Sequence, residues 1–499
     1  MKSKKLAVFL LTLVLTLGLF PMSVFASTTP ITNASTASIT IENAVQSDVL
    51  AAYKVIDITY DETSNHLTYA WNSAFADYFA GTTSYNATAY TVEAFAALED
   101  NSDALKTLLA GLPNYIANKA IAPVDTQTVA SGGTATFADL AMGEYFIRPT
   151  STTSVYQLML QKIEPTVVDG EYKIDDVTFG VKNEEVTIDK TADKTSVTKN
   201  EKVAYTVTVD IPTYGTGATD KTFSVSDLLP DGLTIDTASI NVKIDDAAVD
   251  STAYTLDKTA TTGYTFKLSV TTDQYADKWA ENGGKQLVIT YTATLNDNGT
   301  TAVNTKETNT ATFDYSNYPY VEDSHKQKTD KVDVTTFAIK IDKYVDGSPT
   351  TKLAKAKFDL YRTATADEIT NGTGIVTIPH TSIPGIKLES DKTTNTNGVA
   401  TFEKYEANGN KYDYYLVETK APSGYNILAD AVKVNFTDAD VEATNGVYTV
   451  EVPNSSGITL PITGGEGIVL FSVIGIVFMG GAVFLLIMTR KKAKANDKK

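Results

Sequence analysis

A mainly β protein is predicted, built as tandem sandwiches with some helix in its first third and one apolar helix near its C-terminus. Three observations predict it. Long stretches alternate apolar and polar residues with period two. The chain has 27 Tyr and abundant Thr and Val, residues suited to a pleated, half-buried surface. Its 499 residues suit roughly three domains. Composition also narrows the chemistry. With 42 Lys+Arg against 60 Asp+Glu the net charge is −18, and so acidic a surface repels phosphate backbones, which excludes nucleic acid as a partner. The absence of cysteine removes disulfides, thiolate nucleophiles and Cys metal sites together. His66, His325 and His380 lie far apart, so neither a His-based hydrolase nor a zinc site is expected, and no cofactor is implied.

The elements follow in order. Residues 2–5 (Lys-Ser-Lys-Lys) precede an apolar run over residues 6–20 and a small-residue stretch ending Val24-Phe25-Ala26. That succession is a secretory signal peptide, so residues 1–26 should be removed and the mature chain should begin near Ser27. The first segment, 27–183, opens with the alternating Ser38-Ile39-Thr40-Ile41-Glu42. Within residues 71–118, Val92, Phe95, Ala96, Leu105, Leu108, Leu109 and Ile116 fall at helical spacing, which predicts helices inserted in or laid on a sandwich. Strands resume at Thr134-Ala135-Thr136-Phe137 and at 143–147.

The second segment, 184–334, is almost purely strand-like, as in 203–209 (Val-Ala-Tyr-Thr-Val-Thr-Val) and 287–293 (Leu-Val-Ile-Thr-Tyr-Thr-Ala). Turn signals stand at Asp231-Gly232 and at Asp297-Asn298-Gly299, the latter without the spaced carboxylates of a calcium loop. The third segment, 335–459, opens Ile339-Lys340-Ile341-Asp342-Lys343 and later reads Tyr-Tyr-Leu-Val-Glu-Thr-Lys-Ala-Pro-Ser-Gly-Tyr over 414–425. Short strands at regular spacing argue for immunoglobulin-like sandwiches.

The C-terminus carries an uncharged apolar run over residues 468–488, long enough for one membrane-spanning helix. A basic tail of Arg490, Lys491, Lys492, Lys494, Lys498 and Lys499 follows and should stay cytoplasmic. Just upstream stands Leu460-Pro461-Ile462-Thr463-Gly464. Motif, span and tail in that order resemble the LPXTG sorting signal of Gram-positive surface proteins. The resemblance implies that a membrane sortase cleaves after Thr463, holds its carbonyl as a thioester and passes it to an amine, with 465–499 removed. Loss of both ends strips nine basic and two acidic residues and leaves the remainder at −25. Such a secreted chain, lacking cysteine, needs another means of withstanding proteolysis and force.

Candidate residues for that means are present. A lone carboxylate buried on one strand face, as expected of Glu418, tends to hold its proton, whereas a buried lysine tends toward the neutral amine. A neutral lysine beside an Asn amide and a protonated acid can attack the amide carbon while the acid binds the oxygen and moves protons. The product is an intramolecular isopeptide bond, with ammonia leaving.

The third segment resembles collagen-adhesin B-type (CnaB) domains. Lys343 precedes Asp346-Gly347, residues 353–361 read Leu-Ala-Lys-Ala-Lys-Phe-Asp-Leu-Tyr, and 414–425 match the family's E-box. The resemblance implies Lys343, in preference to Lys340, as nucleophile, Glu418 as catalytic acid and Asn454 as acceptor. The second segment is similar to the CNA-like middle domain of backbone pilins. That similarity implies Lys190 as nucleophile, Asp227 as acid and Asn317 as acceptor, with Asn309 and Lys194 as the competing choices. The first segment has the strand at 143–150 without the Glu-Thr-x-Ala-Pro part, so no bond is expected there. Lys182, in Val181-Lys182-Asn183, resembles the pilin-motif lysine of sortase-assembled subunits, although Gly180-Val181 replaces the family's Tyr-Pro.

Together these features resemble a major (backbone) pilin of a Gram-positive bacterium. The resemblance implies a structural protein and no enzyme, secreted and anchored to the cell wall. A pilin sortase would join Thr463 of one subunit to Lys182 of the next. The other implied partners are a housekeeping sortase, minor pilins, peptidoglycan, and host matrix or cell surface. A monomeric wall-anchored adhesin is the alternative, and a secreted enzyme with paired carboxylates a third class.

Overall fold

The computed structural model describes residues 31–100, 102–296, 306–407, 412–442, 444–456 and 466–496. The expected signal peptide, the turn at Asp297-Asn298-Gly299 and the sorting motif Leu460-Pro461-Ile462-Thr463-Gly464 lie outside the described residues. The fold is mainly β, as the alternation predicts. The chain divides into two compact units, one reaching Val334 and the other starting at Thr335. The first and second predicted segments thus share one unit and one continuous apolar core.

In the first segment, strand Thr36–Glu42 pairs antiparallel with Ala135–Ala141 and parallel with Val177–Gly180. A second sheet runs His66–Trp71, Val49–Asp61, Gly143–Ser151, Met159–Ile163. The four helices Ala76–Phe79, Val92–Ala96, Asp103–Ala110 and Leu112–Lys119 occupy the stretch where alternation fails. The Ser102 side chain caps Asp103–Ala110 by accepting from the Leu105 amide, and that helix buries Leu105, Leu108 and Leu109.

The middle sandwich consists of two five-stranded sheets. One runs Ile188–Ala192, Lys202–Asp210, Gln286–Leu295, Leu233–Ile244, Ala247–Ala248. The other runs Thr255–Asp257, Phe266–Val270, Phe223–Leu228, Lys306–Ser316, His325–Thr335. Every second residue of Lys202–Asp210 is buried: Val203, Tyr205, Val207 and Val209.

In the second unit, strand Phe337–Val345 pairs antiparallel with Ser348–Lys352 and Val399–Tyr405 and parallel with the last strand, Val447–Asn454. The facing sheet runs Val376–Thr377, Pro384–Thr393, Lys357–Thr363, Tyr414–Lys420, Val432–Val434. The Tyr414–Lys420 strand is buried on both faces. Tyr414 and Leu416 join the main core, while Tyr415 and Val417 pack with Tyr361 and Ile378. Period two places Glu418 on the same side as Tyr414 and Leu416.

A helix covers Glu466–Asn496, where the apolar run predicts one. Among the described residues no helix is long and apolar enough to cross a membrane. The side chains of 466–472, part of the expected span, lie outside them.

Candidate crosslinking sites

In the second unit, parity along Phe337–Val345 separates the two candidate lysines. Lys343 points inward with Ile339 and Ile341 and is fully buried, whereas Lys340 alternates outward and is half-buried. Strand register sets Val345 opposite Asn454 and Lys343 opposite Val452, so the two side chains come from neighbouring parallel strands. The Lys343 ammonium donates to Asn454 Oδ1. Glu418 reaches them from the facing sheet. Its Oε1 lies 3.5 Å from Lys343 Nζ, and Asn454 Nδ2 donates to Oε1 at 3.0 Å and to Oε2 at 3.2 Å. The Leu428 backbone N–H donates to Oε2 at 2.9 Å and fixes the carboxyl. Gly398 closes over the strand at φ +73°, and a Cβ there would stand 2.2 Å from the Lys343 carbonyl oxygen, so only glycine fits. Burial lowers the Lys343 pKa to about 8 against the opposing pull of Glu418.

In the middle sandwich, Lys190 is the one buried residue of strand Ile188–Ala192. It crosses to the facing sheet, where its ammonium donates to Asp227 Oδ2. The amine also donates to the Tyr291 hydroxyl at 2.9 Å and sits 5.2 Å from the centre of the Tyr205 ring. Burial drives the Lys190 pKa down and the Asp227 pKa up, each against the pull of the other, so both move toward their neutral forms.

The asparagine in this cluster is Asn309, not Asn317. On Lys306–Ser316 the inward residues are Glu307, Asn309, Ala311, Phe313 and Tyr315. Register sets Asp227 opposite Ala311, which brings Asn309 beside the acid. Asn309 is 0% exposed, and its Nδ2 donates to the Tyr291 hydroxyl at 2.7 Å. Asn309 Oδ1 and Asp227 Oδ1 are both buried acceptors without a hydrogen-bond donor. A proton on Asp227 would supply the missing donor.

Asn317 lies eight residues on, about 26 Å along an extended chain. There its Nδ2 donates to the Thr152 carbonyl at 3.1 Å, and its Oδ1 accepts from Ser324 Oγ at 3.3 Å. The competing Lys194 is engaged with Glu201 at 2.7 Å. Strand parity puts Asn309 in the inward set of Lys306–Ser316 but does not separate it from Asn317, which has the same parity and lies past the strand's end; the register with Phe223–Leu228 makes the choice.

The three groups of each cluster suit one reaction. In each, a buried lysine whose charged form burial disfavours, an asparagine amide and a carboxyl are gathered where water is excluded. Attack of Nζ on the amide carbon forms one C–N bond, breaks another and releases ammonia.

Lys182 follows strand Val177–Gly180. The Val181 N–H donates to the Glu42 carbonyl at 2.9 Å, the Lys182 carbonyl accepts from Gln157 N–H at 3.3 Å, and Asn183–Glu184 pair with Val155–Tyr156. The backbone around Lys182 is thereby fixed on both sides. Its half-buried side chain has no hydrogen-bond or ion-pair partner among the described residues. Thr463 lies outside them.

The fold is that of Gram-positive major pilins. Residues 337–449 match the prealbumin-like fold domain of the SpaA type. The chain is 27% identical over 346 residues to the fimbrial subunit type 1 of Actinomyces viscosus, covering 61% of this chain and 64% of that protein's length. Its structure is similar to the full-length major pilin SpaD of Corynebacterium diphtheriae, with a TM-score of 0.54 and 17% identity over 86% of this chain and 99% of that one. It is similar also to the T6 backbone pilin of serotype M6 Streptococcus pyogenes, with a TM-score of 0.55 and 20% identity over 81% and 80%. The major pilin SpaA of C. diphtheriae, described as pointing to a modular pilus assembly and stabilizing isopeptide bonds, matches at 0.51 and 19% over 84% and 100%.

Proposed function

We propose that this chain is the backbone subunit of a covalently polymerised surface pilus, a structural protein that crosslinks itself and turns over no substrate. The observation that carries the reading is the burial of a lysine, an acid and an asparagine together in two sandwiches. In the C-terminal sandwich they link the first strand to the last; in the middle one they link the first strand, Ile188–Ala192, to Lys306–Ser316, the strand before the last. The proposed bonds are Lys190 to Asn309, with Asp227 as acid, and Lys343 to Asn454, with Glu418 as acid.

The proposed intersubunit linkage runs from the Thr463 carbonyl to the Lys182 amine, made by a pilin sortase. A housekeeping sortase would attach the finished fibre to peptidoglycan, with minor pilins as further partners. Residues 1–26 serve export, and the run at 468–488 with its basic tail holds the precursor at the membrane until cleavage. In such a fibre tension enters at Lys182 and leaves at Thr463. It therefore runs through the middle and C-terminal sandwiches, where the two clusters stand, and bypasses the core of the first segment, where no bond is expected. In the C-terminal unit the first and last strands are parallel neighbours, so a Lys343–Asn454 bond would stop them from sliding apart.

The test is Lys182→Ala in cells that display the protein. Loss of the ladder of detergent-resistant multimers, with the monomer still anchored, is expected. An unchanged ladder would exclude Lys182 as the acceptor, and the absence of any ladder from the wild-type chain would favour a monomeric adhesin.

A further inference from the structure

The two clusters differ in how they can move protons. In the C-terminal unit a single carboxyl faces both reacting nitrogens, since Glu418 Oε1 is 3.5 Å from Lys343 Nζ and 3.0 Å from Asn454 Nδ2. The Phe358 ring lies over that amine, its centre 5.7 Å away, and carries no hydroxyl. In the middle sandwich the acid is the shorter Asp227, bonded to the Lys190 amine. The group that touches both nitrogens there is the Tyr291 hydroxyl, 2.9 Å from Lys190 Nζ and 2.7 Å from Asn309 Nδ2. The ring is 2% exposed and stacks on Tyr205 with centroids 5.3 Å apart, so the hydroxyl has little freedom to leave this position.

On the crosslinking reading above, we infer that Tyr291 is a catalytic proton relay in the middle sandwich. It carries the proton that Lys190 Nζ must lose to the nitrogen that leaves Asn309. The proton shared by Lys190 and Asp227 moves to the acid and leaves a neutral amine. Nζ attacks Cγ of Asn309, and the protonated Asp227 donates to the carbonyl oxygen. In the tetrahedral adduct Nζ bears an excess proton, while Nδ2, no longer conjugated with a carbonyl, becomes an acceptor. Tyr291 takes the proton from Nζ as it gives its own to Nδ2. The C–Nδ2 bond then breaks, ammonia leaves and the re-forming carbonyl returns its proton to Asp227; Tyr291 ends as it began, and Asp227 ends protonated, holding the proton it had shared with Lys190. The acid thus handles the oxygen and the phenol handles the nitrogens, two tasks that Glu418 performs alone in the other unit.

The experiment follows ammonia loss by intact mass and peptide mapping after a pulse of cell-free synthesis of the full chain. The C-terminal crosslink in the same molecule serves as an internal clock. In Tyr291→Phe, which keeps the ring and removes only the hydroxyl, the Lys190–Asn309 bond is expected to form about 100-fold more slowly, a typical general acid–base contribution. The Lys343–Asn454 bond should form at its normal rate. A wild-type rate in Tyr291→Phe would overturn the relay. Should Tyr291→Phe fail to fold, the wild-type rate in mixtures of light and heavy water decides. Two protons in flight give a bowed dependence on deuterium fraction, and a linear one would overturn the relay. A wild-type chain in which Lys190 and Asn309 are never joined would instead overturn the crosslinking reading.

Discussion

Replacing Asn454 with alanine removes the acceptor from the C-terminal cluster while leaving Lys343 paired with Glu418 at 3.5 Å, so no unpaired charge is buried. Two effects set the cost. The Lys343–Asn454 bond would close a loop spanning 111 residues. A crosslink closing about 100 residues removes chain entropy from the unfolded state worth about 4.7 kcal/mol. Loss of the amide's buried hydrogen bonds adds about 1–3 kcal/mol. For a unit of this size each kcal/mol moves the midpoint by roughly 4 °C, so the transition should fall by about 20–30 °C. Scanning calorimetry of the secreted chain is the assay, with intact mass taken in parallel. The C-terminal transition should drop, the middle sandwich's transition should hold, and the variant should lack one of the two ammonia losses. An unmoved transition with an unchanged ammonia deficit would show that Asn454 is not crosslinked.

Three further outcomes are expected. Asn309→Ala should lose the middle-domain ammonia deficit and Asn317→Ala should keep it, as read by mass and peptide mapping; the reverse pattern would restore Asn317 as acceptor. The rate of Lys343–Asn454 bond formation should be flat from neutral pH to about 8 and fall above it. Neutral amine plus protonated acid carries the same single proton as the ion pair, so over this range the reactive population changes only as that shared proton is lost. In the Asn454→Ala chain the sign for stability is opposite. The unfolded lysine holds its proton up to 10.5 and the folded one only to about 8, so denaturant midpoints should rise with pH across that window.

Much of this molecule is legible in its sequence, because strand parity is local information. The alternation in 203–209 and 287–293 marks two paired strands of the middle sandwich. The failure of alternation near Val92 and Leu105 marks the inserted helices. Lys343 differs from Lys340 by parity alone. The stretch 414–425 also places Glu418 on a strand that burial on both faces makes central. What was not legible depends on register between distant strands. Whether Asp227 stands opposite Ala311 or several residues further along is fixed by pairing across roughly 80 residues of chain, and only that pairing selects Asn309 over Asn317. The sharing of one core by the first two segments is likewise a tertiary fact, created by side chains such as Asn114, which donates to the Tyr320 carbonyl at 2.9 Å.

The measurement that tests the central claim most directly is the intact denatured mass of the secreted chain over residues 27–463, followed by mapping of its crosslinked peptides. The account predicts a mass short by two ammonias, with one branched peptide joining Lys190 to Asn309 and another joining Lys343 to Asn454. A full, unmodified mass would contradict it and leave both buried clusters as ordinary polar contacts in a fold that does not lock itself.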